Sequence, residues 1–269
     1  MKVSDKSIQR KDASSDAGGR TKKWVVRLAS ILFWLIVWQI LAWIIDTRII
    51  LVGPIDVIAR LAELVVTSEF WASVGFSLSR IVAGYGLAVV AGIALAALAS
   101  KFGVVRELLA PLMEAMKATP VASFTILVLL WVRSKNLSIV ISFIMALPIV
   151  YTNVLEGIQA TDPQLLEMCE VFGVRGLDRI RYVYVPELLP YLRSALTLAL
   201  GLSWKSGIAA EVIGLPDNSI GEHLYDAKIY LQTPDLFAWT LTIILMSVAM
   251  EAIVSRLLDV IVRRWEARP

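Results

Sequence analysis

The sequence predicts an all-α, polytopic membrane protein with six transmembrane helices. Three observations predict it. Hydrophobic residues fill 58% of the 269 positions and charged residues only 18%, where a soluble domain is about half apolar and about a quarter charged; mean hydropathy is +0.72. Charge-free runs such as 81–100 and 137–155 are each about long enough to cross a bilayer. Lys and Arg are also unevenly shared among the connections, as set out below.

The elements follow in order. Residues 1–23, "MKVSDKSIQRKDASSDAGGRTKK", are polar and mixed in charge and read as a disordered cytoplasmic tail. The first transmembrane helix covers 24–46, with its apolar run from Trp24 to Ile45. It has no small-residue cleavage site and is too long for a signal-peptide core, so it reads as a retained anchor. Residues 47–70 form an external linker in which Pro54 starts a short amphipathic helix. The core, 71–262, holds five further spans: Trp71 to Ala99, Leu108 to Trp131, Leu137 to Ile158, Leu188 to Ala210 and Leu236 to Val262. Residues 263–269 are a cytoplasmic C-terminus.

Orientation rests on the basic residues. With the N-terminus inside, the cytoplasmic pieces (1–23, 100–107, 159–185 and 263–269) hold fifteen Lys and Arg, and the outer pieces (46–70, 132–136 and 211–235) hold five. That asymmetry supports six spans with both termini in the cytoplasm.

Composition excludes several function classes. A single cysteine, Cys169, and a single histidine, His223, exclude an intrachain disulfide framework, a multi-cysteine metal site and a His-based catalytic cluster. The charge of +3 is not gathered into a patch with interleaved aromatics, so no nucleic-acid partner is expected. No G-x-x-x-x-G-K-[ST] motif occurs, so the chain does not cradle nucleotide phosphates itself.

One cytoplasmic connection is charged and helix-like. "TDPQLLEMCEVFGV" has Asp162 as N-cap and Pro163 at the first helical position. Leu165, Leu166, Met168, Cys169 and Phe172 form an apolar stripe, and Gly173 is placed to end the turn. This is a short amphipathic helix, either resting on lipid headgroups or docking another protein.

At these residues the chain resembles the permease subunits of bacterial ABC importers. These carry a cytoplasmic loop of pattern E-A-A, three residues, G, nine residues, I, any residue, L-P. Glu167, Met168 and Cys169 stand at the E-A-A places, Gly173 at the glycine, and Val183, Val185 and Pro186 at the I and L-P places. "GPIDVIARLAEL", "SLSRIVAGYGLAVVAGIALA", "KATPVASFTILVLLW" and "GLSWKSGIAAEVIG" look like the nitrate, sulfonate and taurine branch, and the resemblance covers about residues 50 to 265. It implies a type I importer membrane domain with a coupling helix at about 163–177. It also implies two ATP-binding-cassette ATPase subunits that bind ATP and Mg, a second permease subunit (a homodimer), an extracytoplasmic substrate-binding protein and surrounding membrane lipids. No cofactor is expected in this chain, and no enzymatic activity of its own. The cargo it implies is a small anion such as a sulfonate, taurine or nitrate; the alternative is a thiamine-precursor pyrimidine or another small nutrient. A stand-alone secondary transporter would need more spans or an internal repeat.

Charges inside spans are costly and face protein or water. Glu114 and Lys117, at i and i+3, are expected to pair, while Arg80 and Arg193 sit near span ends and are expected to snorkel. Lys205 lies deep in the fifth span, and Glu211, about 240° around the helix, cannot pair with it there. Lys205 is either paired elsewhere or a pathway cation, with Ser203, Trp204 and Ser206 as candidate lining. Pro120, Pro148 and Gly201 are candidate kinks or packing positions.

Overall fold

The computed structural model describes residues 25–26, 28–47 and 49–266. The expected tail 1–23, Trp24 and the last three residues lie outside the described residues. The elements are α1 (Leu28–Ile45), α2 (Pro54–Val65), α3 (Ser68–Lys101), α4 (Gly103–Ala118), α5 (Val121–Val128), α6 (Ser134–Gln159), α7 (Pro163–Val171), α8 (Leu177–Arg179), a π-helical turn (Ile180–Tyr184), α9 (Val185–Gly214), α10 (Ile220–Ile229) and α11 (Thr233–Glu266). Among the described residues there is no strand. Among the described residues five helices are long and apolar enough to cross a membrane: Leu28–Ile45, Ser68–Lys101, Ser134–Gln159, Leu177–Gly214 and Thr233–Val260.

The expected third span, Leu108 to Trp131, is the one that differs. It is two helices, α4 and α5, parted at Thr119 and Pro120, both of which are extended (ψ 126° and 129°). The cause is local. Proline has no N–H to continue the ladder, and its ring disfavours helical backbone at the residue before it. Pro148, by contrast, sits inside an unbroken α6.

The centre of the molecule is α6 packed between α3 and α9. Along α3 the contact positions are small: Gly84, Ala88, Gly92 and Ala96, four residues apart and all buried. They let the backbones approach closely, the usual means of packing helices that gain nothing from leaving water. A Cβ on Gly84 would run into the Ile139 carbonyl, and one on Gly92 would sit 2.8 Å from Val150. On the other side Ser142 Oγ donates to the Ser203 carbonyl (3.0 Å) and Ser203 Oγ to the Ser142 carbonyl (3.3 Å), a reciprocal tie between α6 and α9. Gly207 fits between Ile81 and Ser142 at this crossing.

The remaining helices attach at the ends. Pro54 opens α2 as expected, and Arg60 Nε donates to Asp235 at the start of α11 (2.6 Å). α10, a helix inside the expected outer loop 211–235, begins with the Ser219 side chain accepting from the Glu222 N–H. α7 joins α6 to α9, and α10 joins α9 to α11, so these two short helices mark opposite ends of the bundle.

Candidate functional site

The local sequence builds α7 from both ends. The Asp162 carboxylate accepts from the Gln164 N–H at 2.8 Å, with Pro163 in the first turn. At the other end the Val174 N–H donates to the Cys169 carbonyl (2.8 Å) and the Gly173 N–H to the Glu170 carbonyl (3.3 Å). Gly173 stands at φ +69. That pair of bonds around a left-handed residue is a Schellman stop, and only glycine takes it without strain.

Burial divides the expected stripe. Cys169 is buried and free, with Leu165 and Leu166 partly buried beside it. Met168 and Phe172 turn outward with Val171, and the last two are 75% and 82% exposed in that order. The stripe is therefore not one apolar face on the bundle but an anchor and a separate exposed knob. Glu167 is exposed on the helix. After the turn, Leu177, Ile180 and Tyr182 are also exposed, whereas Val183 is buried, Val185 half-buried and Pro186 exposed in the first turn of α9. The π-helical turn carries the chain from α8 into α9 without a break. Such turns are uncommon and concentrate at functional positions.

The residues expected around Lys205 are not brought together. Ser203 is tied to α6, and Ser206 Oγ donates back to the Leu202 carbonyl (2.7 Å). Trp204 lies in the core, its Nε1–H donating to the Ile243 carbonyl of α11 (3.0 Å). These three face the protein because consecutive helical residues point about 100° apart. Lys205 alone is exposed, on the same face as Leu198 and Leu202. It makes no ion pair among the described residues.

Two other charges, Arg193 and Arg80, find partners within the protein. Arg193 does not simply snorkel; it meets Asp259 of α11 at 2.8 Å. Arg80 donates from Nε to the Lys135 carbonyl and lies over the Phe76 ring at 3.9 Å. Lys117 and Glu114 approach to 3.5 Å, as expected.

Glu211 carries more structure than its sequence context suggested. It is fully buried. Ser77 Oγ of α3 donates to Glu211 Oε2 (2.6 Å) and accepts from the Ile220 N–H (3.0 Å) at the start of α10. Gly221 packs so tightly against Glu211 that no Cβ fits between them. The carboxylate thus joins α9 to α3 and, through Ser77, to α10. Its hydrogen-bond donor, Ser77, lies 134 residues before it, so no local motif announces the pair. Among the described residues no cluster of His, Cys, Asp and Glu could hold a metal ion.

A bundle of apolar, membrane-length helices with a capped, exposed helix at one end defines a multi-pass membrane protein. Residues 88–267 match the family described as the binding-protein-dependent transport system inner membrane component, and the chain belongs to that family. It is thus a permease subunit rather than a catalytic one. A Bacillus subtilis permease protein named for aliphatic sulfonates transport is 25% identical over 234 residues, 86% of this chain and 82% of the relative. The bicarbonate transport system permease protein of Synechococcus elongatus is 28% identical, covering 81% of this chain and 84% of its own length. The nitrate import permease protein of Leptolyngbya laminosa is 30% identical over 159 residues, 59% of this chain and 56% of its own. A solved bacterial ABC transporter involved in import of the acidic polysaccharide alginate shares the fold, with a TM-score of 0.54 at 14% identity, covering 94% of this chain and 99% of that one.

Proposed function

We propose that this chain lines the translocation pathway of an ATP-binding-cassette importer for a small anion, with α7 as the helix through which ATP hydrolysis is felt. The observation that carries the reading is the exposed knob of α7, Met168, Val171 and Phe172, beside the buried Cys169. Exposed apolar side chains gathered at one helix end mark a protein contact. Glu167 and Gly173 belong to the coupling helix at 163–177, and Val183, Val185 and Pro186 continue the segment into the start of α9. Two ATPase subunits, carrying ATP and Mg, dock there; a second copy of the chain completes the pathway; and an external binding protein delivers the cargo at the α2 and α10 end. Both termini lie in the cytoplasm, and 71–262 forms the core. Purification of the tagged chain from its native membrane tests this: a stoichiometric ATPase supports the reading, and isolation as a lone, transport-competent subunit contradicts it. Cysteines introduced by Asp178→Cys and Asp217→Cys, in a Cys169→Ala background, label from opposite membrane faces if the orientation holds.

The choice of an anion rests on Lys205. An ammonium about 13 Å from the α10 end of a spanning helix (nine residues at 1.5 Å each) is costly against lipid, so its exposed face belongs to water or to the second subunit. Two-fold symmetry places two such cations at the pathway. Sulfonate, bicarbonate and nitrate, for which the relatives are named, are all anions. Ser203, Trp204 and Ser206 act in this reading by fixing the rotation of α9 that presents Lys205.

A further inference from the structure

Two opposite charges near the α10 end of the bundle lie close together and do not meet. Glu211 of α9 is fully buried, and its Oε1 has no hydrogen-bond partner among the described residues. The Ser138 hydroxyl of α6, beside that carboxylate and equally buried, is unpartnered too. Arg80 of α3 is near enough for its charge to be felt at Glu211, yet among the described residues the two form no ion pair. Arg80 rests instead on neutral groups, the Lys135 carbonyl and the Phe76 ring. A lone guanidinium and a lone carboxylate are each costly inside spanning helices, where such charges ordinarily pair with one another.

What keeps them apart is a latch on α3. Ser77 and Arg80 stand at i and i+3, on one face of that helix. Ser77 Oγ donates to Glu211 Oε2 (2.6 Å) and accepts from the Ile220 N–H (3.0 Å). A hydroxyl whose proton is drawn toward a carboxylate is the stronger acceptor, so Glu211 holds the start of α10 through Ser77. Gly221 lies against Glu211 itself, too close for a Cβ. The connection that this latch closes is strained, because Leu215 stands at φ +47, in backbone that leucine resists. The seat of Arg80, by contrast, is open: Phe76 and Lys135 both line a cavity of about 420 Å3. One charge therefore has room to swing, and the other has two unused acceptors beside it, its own Oε1 and Ser138 Oγ. Strain of this kind gathers at switch regions.

We propose that Arg80 and Glu211 are the two halves of an ion pair that closes in the other state of the transport cycle, and that its closure unlatches α10 from α3. A guanidinium presents parallel N–H groups to both oxygens of a carboxylate, so the arriving Arg80 draws Oε2 away from Ser77. Ser77 then loses the partner that made it a strong acceptor for the Ile220 N–H, and the start of α10 is released. The inference rests on the reading of the chain as a permease, which must open its pathway to each side of the membrane in turn.

The test is amide hydrogen exchange on the intact permease–ATPase complex in phosphatidylcholine nanodiscs, at rest and held with ATP and orthovanadate. In the wild-type complex the Ile220 amide is expected to exchange at least tenfold faster in the ATP-held state than at rest. Arg80→Gln keeps a donor for the Lys135 carbonyl but carries no charge, and its Ile220 amide is expected to stay protected in both states. Arg80→Lys keeps the charge and is expected to restore the faster exchange. An arginine with a merely structural role would instead leave Ile220 exchanging fast in both states of Arg80→Gln, and that overturns the proposal. So does an ATP-dependent change in Arg80→Gln as large as in the wild type. Equal exchange at Ile220 in both wild-type states, while the amides of α7 respond to ATP, overturns this inference alone. No response to ATP anywhere in the chain, α7 included, overturns the permease reading with it.

Discussion

Gly84→Ala perturbs the α3–α6 crossing at a point where neither side has a free rotor. The new Cβ meets the backbone oxygen of Ile139 and lies 3.0 Å from Ser142 Cβ, where ordinary contact begins at 3.4 Å. A backbone carbonyl cannot turn away as a side-chain tip can, so the helices must part by several tenths of an ångström or more. Overpacking of this kind costs about 1–3 kcal/mol. Alanine also gains about 1 kcal/mol over glycine in a helix interior, which partly masks the loss. Gly86→Ala supplies the reference: it lies on the same helix and has nothing within 4 Å of its Cβ. Both variants share the propensity gain, so their difference isolates the overpacking cost, about 1–3 kcal/mol in favour of Gly86→Ala. Reversible unfolding of the detergent-purified subunit, followed by tryptophan fluorescence, reads that difference. Equal stability of the two variants would refute the close crossing.

Glu211→Ala leaves the Ser77 hydroxyl without its acceptor and opens a cavity, so it should cost about 1–3 kcal/mol and speed hydrogen exchange at Ile220; Glu211→Gln keeps an acceptor and should lose less in the same measurements. Lys205→Met strands no carboxylate, so the complex should assemble at wild-type yield while uptake of an anionic substrate falls at least tenfold; wild-type uptake would remove Lys205 from the pathway. A Cβ on Gly173 meets no atom within 4 Å, so Gly173→Val acts chiefly through the φ of +69, and it should abolish stimulation of ATP hydrolysis by loaded binding protein; normal stimulation would contradict the α7 geometry.

Much of this architecture is legible in the sequence because its signals are local. Asp162, Pro163 and Gly173 delimit α7 by their own backbone chemistry, and Pro54 does the same for α2. The long spans are legible because hydropathy alone separates them from the connections. Apart from the local break at Pro120, what is not legible depends on partners far along the chain. The apolar run from Leu108 to Trp131 reads as one span, since hydropathy does not register the N–H that Pro120 lacks; the proline itself is the available sign. The rotation of α9 is hidden because a helix in lipid is apolar on every side and shows no inward face. From the sequence alone Ser203, Trp204 and Ser206 are therefore candidate lining beside Lys205, although they pack inward. Arg193 finds Asp259, and Glu211 finds Ser77, only after the bundle has folded.

Contact between α7 and the ATPase can be read by site-specific crosslinking in native membranes. Cys169 is buried and can be replaced by alanine, leaving Phe172→Cys as the single thiol, at a position 75% exposed in the isolated subunit. An efficient crosslink from that thiol to the ATPase subunit is expected, and none from Asp217→Cys at the opposite end. A crosslink to the ATPase from Asp217→Cys, with none from Phe172→Cys, would contradict it.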